Sequence, residues 1–220
     1  MKSSEQLRAA IIGLVAFAGM EEEALIAGLR RASSEEGNPG RWAARALVAH
    51  STEFKTQQVQ RLEAVRRGAR PPEFPQIDHS SEEIYRRCAE QSAEAVAAAS
   101  RLCTLALIEE VGRAREADLL ETSIHPWLAG RQLWLQIVVR GFWHPGGHLG
   151  EYYLAHGQTD QAIALQARAV TIATLLSAPP EARGMACYNL ACAQARGACP
   201  PPPSRPFERR SASTMTLPPT

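Results

Sequence analysis

The chain has 220 residues, of which 45% are hydrophobic and 21% are charged. This length suits one domain with a small appendage, and the composition provides a real core, which excludes an intrinsically disordered protein. Lys and Arg total 24, Asp and Glu total 23, and the formal net charge is therefore +1. No overall charge favours nucleic acid or an anionic membrane as a partner.

The cysteines and the hydropathy pattern indicate a cytoplasmic protein. An odd number of cysteines in a chain of this length argues against a disulfide framework and favours a reducing compartment. The longest apolar run, residues 9–20, is shorter than the ~20 residues that cross a bilayer, so we expect no membrane-spanning segment. The five cysteines are Cys88, Cys103, Cys187, Cys192 and Cys199.

The first thirty residues predict a long structural helix, because their apolar side chains recur mostly every three or four positions. An alternative interpretation is a signal peptide, since Lys2 and Arg8 precede the apolar run. Ala16-Phe17-Ala18 would then be the small-x-small sequence that ends the signal peptide. Glu5 and the continuation of the stripe beyond Ala18 favour the structural helix. The stripe consists of Leu7, Ile11, Leu14, Ala18, Leu25 and Leu29.

A Gly- and Pro-containing break at residues 36–40 separates this helix from a second one, predicted over residues 41–67. Leu47, His50 and Phe54 follow one another at helical spacing in the second helix. The pattern therefore places His50 on the buried face.

A third helix is predicted after a proline-containing loop, because Ser80 and Glu83 form a Ser-x-x-Glu capping box. The apolar pattern weakens beyond Leu107. Residues 109–120 predict one or two further helical turns, and residues 121–130 predict a loop. The expected inward face of the third helix is Ile84, Cys88, Ala95, Ala99 and Leu102.

Three more helices complete the predicted secondary structure. A fourth helix starts at Arg131 and ends at Gly157, and shorter helices are expected over residues 159–176 and 181–196. No segment has the alternating β-branched pattern of a strand, so we predict an all-α fold. Residues 199–220 lack periodicity, which predicts a disordered tail. The fourth helix's inward stripe is Leu133, Ile137, Gly141, His144, His148, Tyr152 and Ala155.

Two histidines of that stripe suggest a metal site. His144 and His148 are four residues apart, which places both imidazoles on one helix face, near enough to chelate one divalent cation. His50, from the second helix, supplies a third imidazole. Three histidines leave a coordination position open, which is typical of a catalytic zinc site. The alternative is a set of ordinary core histidines that hold no metal.

The three residues between the paired histidines are Pro145-Gly146-Gly147, an unusual helical spacer. Proline inside a helix removes one hydrogen bond and costs ~3 kcal/mol. We expect either a kink at this point or a new helix that His144 caps. Glu53 and Glu151 lie one turn from the presumed ligands, where a glutamate can support a ligating histidine or act as a base that activates water, although a solvated side chain is the commoner outcome.

Four short motifs carry a resemblance to a known family: Gly40-Arg-Trp42, Leu47-x-x-His50, Gly130-Arg-x-Leu133 and His144-x-x-x-His148. They resemble the DinB-like (DinB/YfiT) four-helix bundle proteins over about residues 4–157. The resemblance implies an up-down four-helix bundle in which His50, His144 and His148 hold Zn²⁺ or Ni²⁺. It also implies a thiol-dependent transferase, in which the metal activates a small-molecule thiol that attacks an electrophile.

The C-terminal part has a second resemblance. Leu149-Gly150-x-x-Tyr153, followed by Ala162 and Ala169, falls at the offsets of a tetratricopeptide repeat. We therefore divide the chain into a bundle (residues 1–157), a tetratricopeptide-like helical hairpin (158–198) and the tail (199–220). So few repeat units cannot bury both of their faces, so we expect an apolar strip that a second copy or a protein partner covers. The candidate stripes are Ile163, Ala167, Val170 and Thr174 on the first helix of the hairpin, and Met185, Leu190 and Ala193, which face inward or outward, on the second.

Two functions from different classes remain open. The first is a metal-dependent transferase or hydrolase that acts on a small-molecule thiol or electrophile, with the metal-activated thiol or water as the nucleophile. The second is a noncatalytic helical scaffold or protein-interaction module, which would tolerate loss of the histidines if packing is kept. Nucleic acid is not expected as a partner, because no basic stripe accompanies the tryptophans.

Overall fold

The structure is a computed structural model and describes residues 4–29, 43–74 and 91–198. All regular elements in these ranges are helical, which confirms the prediction of an all-α fold. The predicted capping box at Ser80 and Glu83, the positions Ile84 and Cys88, and the predicted tail lie outside the described residues.

The observed helices follow the predicted order closely. The long predicted fourth helix is present as α5, a π-helical turn (Val139–Trp143) and α6, and a short 3-10 turn (Pro126–Leu128) lies in the segment expected to be a loop. No described helix is long and apolar enough to cross a membrane. The α-helices are α1 (Ser4–Leu29), α2 (Ala44–Arg66), α3 (Ala93–Arg113), α4 (Glu116–Leu120), α5 (Leu133–Val138), α6 (His144–Ala155), α7 (Thr159–Leu175) and α8 (Pro180–Ala198).

The buried apolar side chains form two clusters, and α1 contributes to both. In the larger cluster, Leu14 of α1 meets Leu107 of α3 and Ile137 of α5. In the smaller one, the end of α1 joins α2, α6 and α7 through residues such as Val48 and Leu149. The predicted stripe of the first helix is buried at its described positions, as a structural helix requires.

Helices α7 and α8 pack on each other and on α6, and they add alanines to the same core as α1. The candidate stripe on α7 is only partly uncovered. Ala167 and Thr174 are exposed, whereas Ile163 and Val170 are half-buried. A partner for this strip therefore stays a prediction.

The predicted inward face of the third helix is wrong in the part of α3 that the structure describes. Ala95 and Ala99 are exposed, and Leu102 is 68% exposed. The buried stripe is rotated by one position and contains two hydroxyl side chains. Its members are Val96, Ser100, Thr104, Leu107 and Val111.

The two hydroxyl groups are buried because they complete a polar network around Lys55 of α2. Lys55 Nζ lies 2.5 Å from Glu22 Oε2, and it donates hydrogen bonds to Thr104 Oγ1 at 2.9 Å and Ser100 Oγ at 3.3 Å. Both charged side chains are fully buried. A buried ion pair is tolerated only when such hydrogen bonds offset the loss of water, which explains why this face is not purely apolar.

Candidate metal centre

Three histidines from two helices meet at one point of the core. His50 comes from α2, and His144 and His148 come from the first turns of α6. The ring centroids are 5.1 Å apart for His50 and His144, 5.0 Å for His50 and His148, and 4.4 Å for His144 and His148. One nitrogen of each ring lies within 4.8 Å of the others. The structure thus brings together the three residues that the sequence singled out, as a cluster that could bind a metal ion.

The two helices that carry these rings pack closely around Phe54. Its ring centroid lies 4.7 Å from that of His50 and 4.6 Å from that of His144. Gly141, in the π turn, permits this helix to approach α1 and α3, because an added Cβ would lie 2.8 Å from Val15 Cγ2 and 3.0 Å from Leu107 Cδ2. Close packing at Gly141 therefore fixes the position of His144, which lies three residues further along the chain.

The irregularity expected at Pro145 is the π turn that directly precedes α6. The backbone stays right-handed helical at Trp143 and His144, so His144 does not act as a non-helical cap. Side chains of later helices bind the carbonyl groups here: Gln166 Nε2 donates to Gly146 O at 2.6 Å, and Asn189 Nδ2 donates to Trp143 O at 3.4 Å. Single π turns inside α-helices are frequent at functional sites.

Burial keeps two of the histidines neutral. It lowers the pKa of His50 to about 4, with further lowering by the positive charges of His148 and Arg140. The pKa of His144 is lowered to about 3, mainly by burial and then by His148, His50 and Arg140. Neutral imidazole is the form that coordinates metal ions, so these side chains need not lose a proton to act as ligands at pH 7.

The arrangement fits a nitrogen-binding divalent cation. The Nε2 atoms of His50 and His144 are 3.2 Å apart, close to the roughly 3.3 Å expected for two imidazole nitrogens on one tetrahedral Zn²⁺. His148 Nε2 is buried and has no hydrogen-bond partner in the described ranges. An all-imidazole set suits Zn²⁺ or Ni²⁺ and does not suit Mg²⁺ or Ca²⁺, which take oxygen ligands.

The carboxylate of Glu151 lies next to His148. Glu151 Oε2 lies 3.7 Å from His148 Nδ1, and Glu151 Oε1 lies 3.5 Å from Arg196 Nη1. His148 and Arg196 both lower the pKa of Glu151. The side chain is 60% exposed, in line with the expectation of a solvated glutamate, yet it is also placed to orient the His148 ring, as carboxylates commonly do for ligating histidines.

A cavity of about 380 Å³ opens beside the cluster, between α6 and α8. Its volume is that of a small-molecule pocket. Helix α8 contributes Tyr188, Cys192 and Arg196 to its wall, and sequence reasoning missed all three. Their spacing of four residues places the three side chains on one face of a helix. It indicates a cavity wall only once α8 is known to pack on α6. The other lining residues are Trp143, His144, Gly147, His148, Gly150, Glu151, Leu154, Gln166, Asn189 and Ala193.

Comparison with family models, with curated proteins and with solved structures finds no match to this chain. The DinB-like and tetratricopeptide resemblances therefore stay predictions. What the chain does has to be inferred from the histidine cluster and the cavity beside it.

Proposed function

We propose that the chain is a metal-dependent enzyme acting on a small molecule, with His50, His144 and His148 holding Zn²⁺ or Ni²⁺. The observation that carries the proposal is the position of the cluster: His144 and His148 form part of the wall of a small-molecule-sized cavity, while His50 lies behind them at 2% exposure. A cation held there would have protein on one side and the cavity on the other.

When bound, such a cation supplies Lewis-acid chemistry, which lowers the pKa of a thiol or of water. The histidines contribute neutral nitrogen lone pairs, because burial disfavours their protonated forms. Glu151, whose Oε2 lies 3.7 Å from His148 Nδ1, is placed to hold the orientation of the His148 ring. This chemistry matches the thiol-dependent transferases that the DinB-like resemblance implies, and a hydrolase uses the same parts.

The cavity wall offers polar groups to a substrate. Trp143 and Gln166 line the cavity, and Trp143 Nε1 and Gln166 Oε1 are buried without a hydrogen-bond partner in the described part of the chain. Arg196 adds a positive charge at the rim beside Glu151. This mixed wall suits a polar small molecule, which includes the common low-molecular-weight thiols.

The test is thiol transfer by the full chain after reconstitution with Zn²⁺ or Ni²⁺. Consumption of glutathione, bacillithiol or mycothiol is followed with a chromogenic electrophile, and hydrolysis of an activated ester is followed in parallel. We expect turnover that falls by roughly 100-fold or more in His144→Ala, since even the residues that support metal ligands contribute ~10 to 100-fold. His156→Ala, at the other end of the helix, is the matched control and should retain activity.

The noncatalytic scaffold is the second candidate, and exposed apolar side chains favour it. Leu175 of α7 and Tyr188 of α8 are 73% and 62% exposed. Metal-loaded protein that shows neither thiol transfer nor hydrolysis, and whose histidine variants keep their binding partners, would support the scaffold and contradict the enzyme.

A further inference from the structure

Arg61 of α2 and Arg140 of the π turn each rest on an aromatic ring, and they lie near enough for the charge of Arg61 to lower the pKa of Arg140. Arg140, in the π turn, places its guanidinium carbon 4.5 Å from the Phe54 ring centroid. Arg61, two turns further along α2 than Phe54, lies 4.8 Å from the Phe74 centroid and 5.7 Å from the Trp127 centroid. The two guanidinium groups thus rest on aromatic rings, and neither forms an ion pair with a carboxylate within the described ranges.

Within the described ranges, no carboxylate compensates their charges. Burial lowers the pKa of Arg140 to about 10, and the positive charge of Arg61 lowers it further; burial also lowers the pKa of Arg61. Two half-buried cations of the same sign repel each other and lose part of their hydration, which is costly unless an anion is present.

The surrounding polar atoms are mostly donors without acceptors. Nη1 of Arg61, Nη1 of Arg140 and Nε1 of Trp127 are buried and have no hydrogen-bond partner in the part of the chain described. Gln58 is fully buried and lies one turn from both Phe54 and Arg61 on α2, and its amide nitrogen and oxygen have no hydrogen-bond partner among the described residues. A cluster rich in N–H groups and positive charge is complementary to an oxyanion.

We propose that Arg61 and Arg140 bind an oxyanion, the carboxylate or phosphate group of a small molecule, with Trp127 and Gln58 supplying further N–H donors. Both arginines are half-buried, so the site is not sealed from solvent. It uses none of the three histidines, although the Phe54 ring contacts both Arg140 and the His50 and His144 rings, and Arg140 lowers the pKa of both histidines. Binding there requires no metal.

The test is calorimetric titration of the chelator-treated full chain with sodium formate and, separately, with inorganic phosphate, at an ionic strength held constant with chloride. We expect one of the two anions to bind saturably at one site per chain. Binding should weaken at least tenfold in Arg61→Gln and in Arg140→Gln. The preferred probe identifies the anionic group as carboxylate or phosphate.

Arg67→Gln is the matched control, since Arg67 directly follows α2 and its side chain is 61% exposed; it should bind like the wild type. Removing one of two like charges should leave Arg61→Gln folded, with a melting temperature in chloride no lower than that of the wild type. Arg61→Lys, which keeps the charge and loses the planar group, is the second variant and should also bind more weakly. No saturable binding to wild type, or equal binding to all variants, overturns the proposal without bearing on the metal site.

Discussion

The Nε2 atoms of His50 and His144 lie 3.2 Å apart, although 94 positions separate the two residues in the chain. Both rings are neutral at pH 7 because burial lowers their pKa values. One ring nitrogen can donate a hydrogen bond to the other, but a bound cation would accept the lone pairs of both nitrogens. This pair, with His148 beside it, is the basis of the proposed metal centre.

Metal removal should destabilise the fold. A cation that binds only the folded chain adds RT ln(1 + [L]/Kd), which is ~2.7 kcal/mol at a free concentration of 100 Kd. We therefore expect chelation to lower the melting temperature of metal-loaded wild type and to leave that of His50→Ala unchanged. Equal melting curves of the wild type with and without chelator would argue that its histidines hold no cation.

The metal-free protein should lose stability as the pH falls below about 6.5. His50 and His144 have pKa values of about 4 and about 3 in the folded chain, against an ordinary 6.5. Between these values the unfolded chain binds more protons, so acidification lowers the free energy of unfolding by at most ~1.4 kcal/mol per pH unit for each histidine.

Urea denaturation in chelator between pH 7 and pH 5 measures this dependence. His50→Gln removes one titrating group, so its stability should vary less with pH. A stability profile of the same slope in the wild type and in this variant would mean that His50 is not held neutral by burial.

Part of this arrangement could be predicted from the sequence, because it depends on local spacing. Helical periodicity alone placed His50 on an inward face and paired His144 with His148. The buried face of α3 could not be predicted in this way, since Ser100 is buried by its hydrogen bond to Glu22, 78 positions away. The cavity wall that α8 contributes could not be predicted for the same reason, because the apolar periodicity of a helix does not show which other helix it contacts.

Glu22 and Lys55 should be strongly dependent on each other. Glu22→Ala leaves the fully buried ammonium group of Lys55 without its carboxylate partner. This should lower the free energy of unfolding by about 3 to 5 kcal/mol. Denaturant titration should show this loss. Glu22→Leu combined with Lys55→Met should recover most of it, because well-packed apolar residues often replace a buried ion pair at little cost.

The neighbouring residue provides the control. Glu23 pairs with Arg101 at 2.9 Å on the surface, where both side chains are substantially exposed, so Glu23→Ala should cost ~1 kcal/mol or less. If Glu22→Ala were as mild as Glu23→Ala, the buried network would not hold α1, α2 and α3 together.

Gly141 should not tolerate a side chain. The Cβ of Gly141→Ala would lie 2.8 Å from Val15 Cγ2, and overpacking of this kind costs ~1 to 3 kcal/mol. The shift should also displace His144 and weaken metal affinity. Gly112→Ala is the control, since among the described residues outside its own stretch of helix no atom lies within 4 Å of the added Cβ, and it should be neutral or slightly stabilising in a thermal melt. Similar melting temperatures for the two variants would contradict close packing at the π turn.

The most direct test of the metal centre is elemental analysis of the full chain, purified without an affinity tag and equilibrated with Zn²⁺ or Ni²⁺ before gel filtration. We predict one ion per chain in the wild type, X-ray absorption that shows three imidazole ligands, and loss of the ion in each of His50→Ala, His144→Ala and His148→Ala. Wild-type protein that elutes without metal, or a histidine variant that retains a full equivalent, would contradict the assignment of these three residues as the ligands.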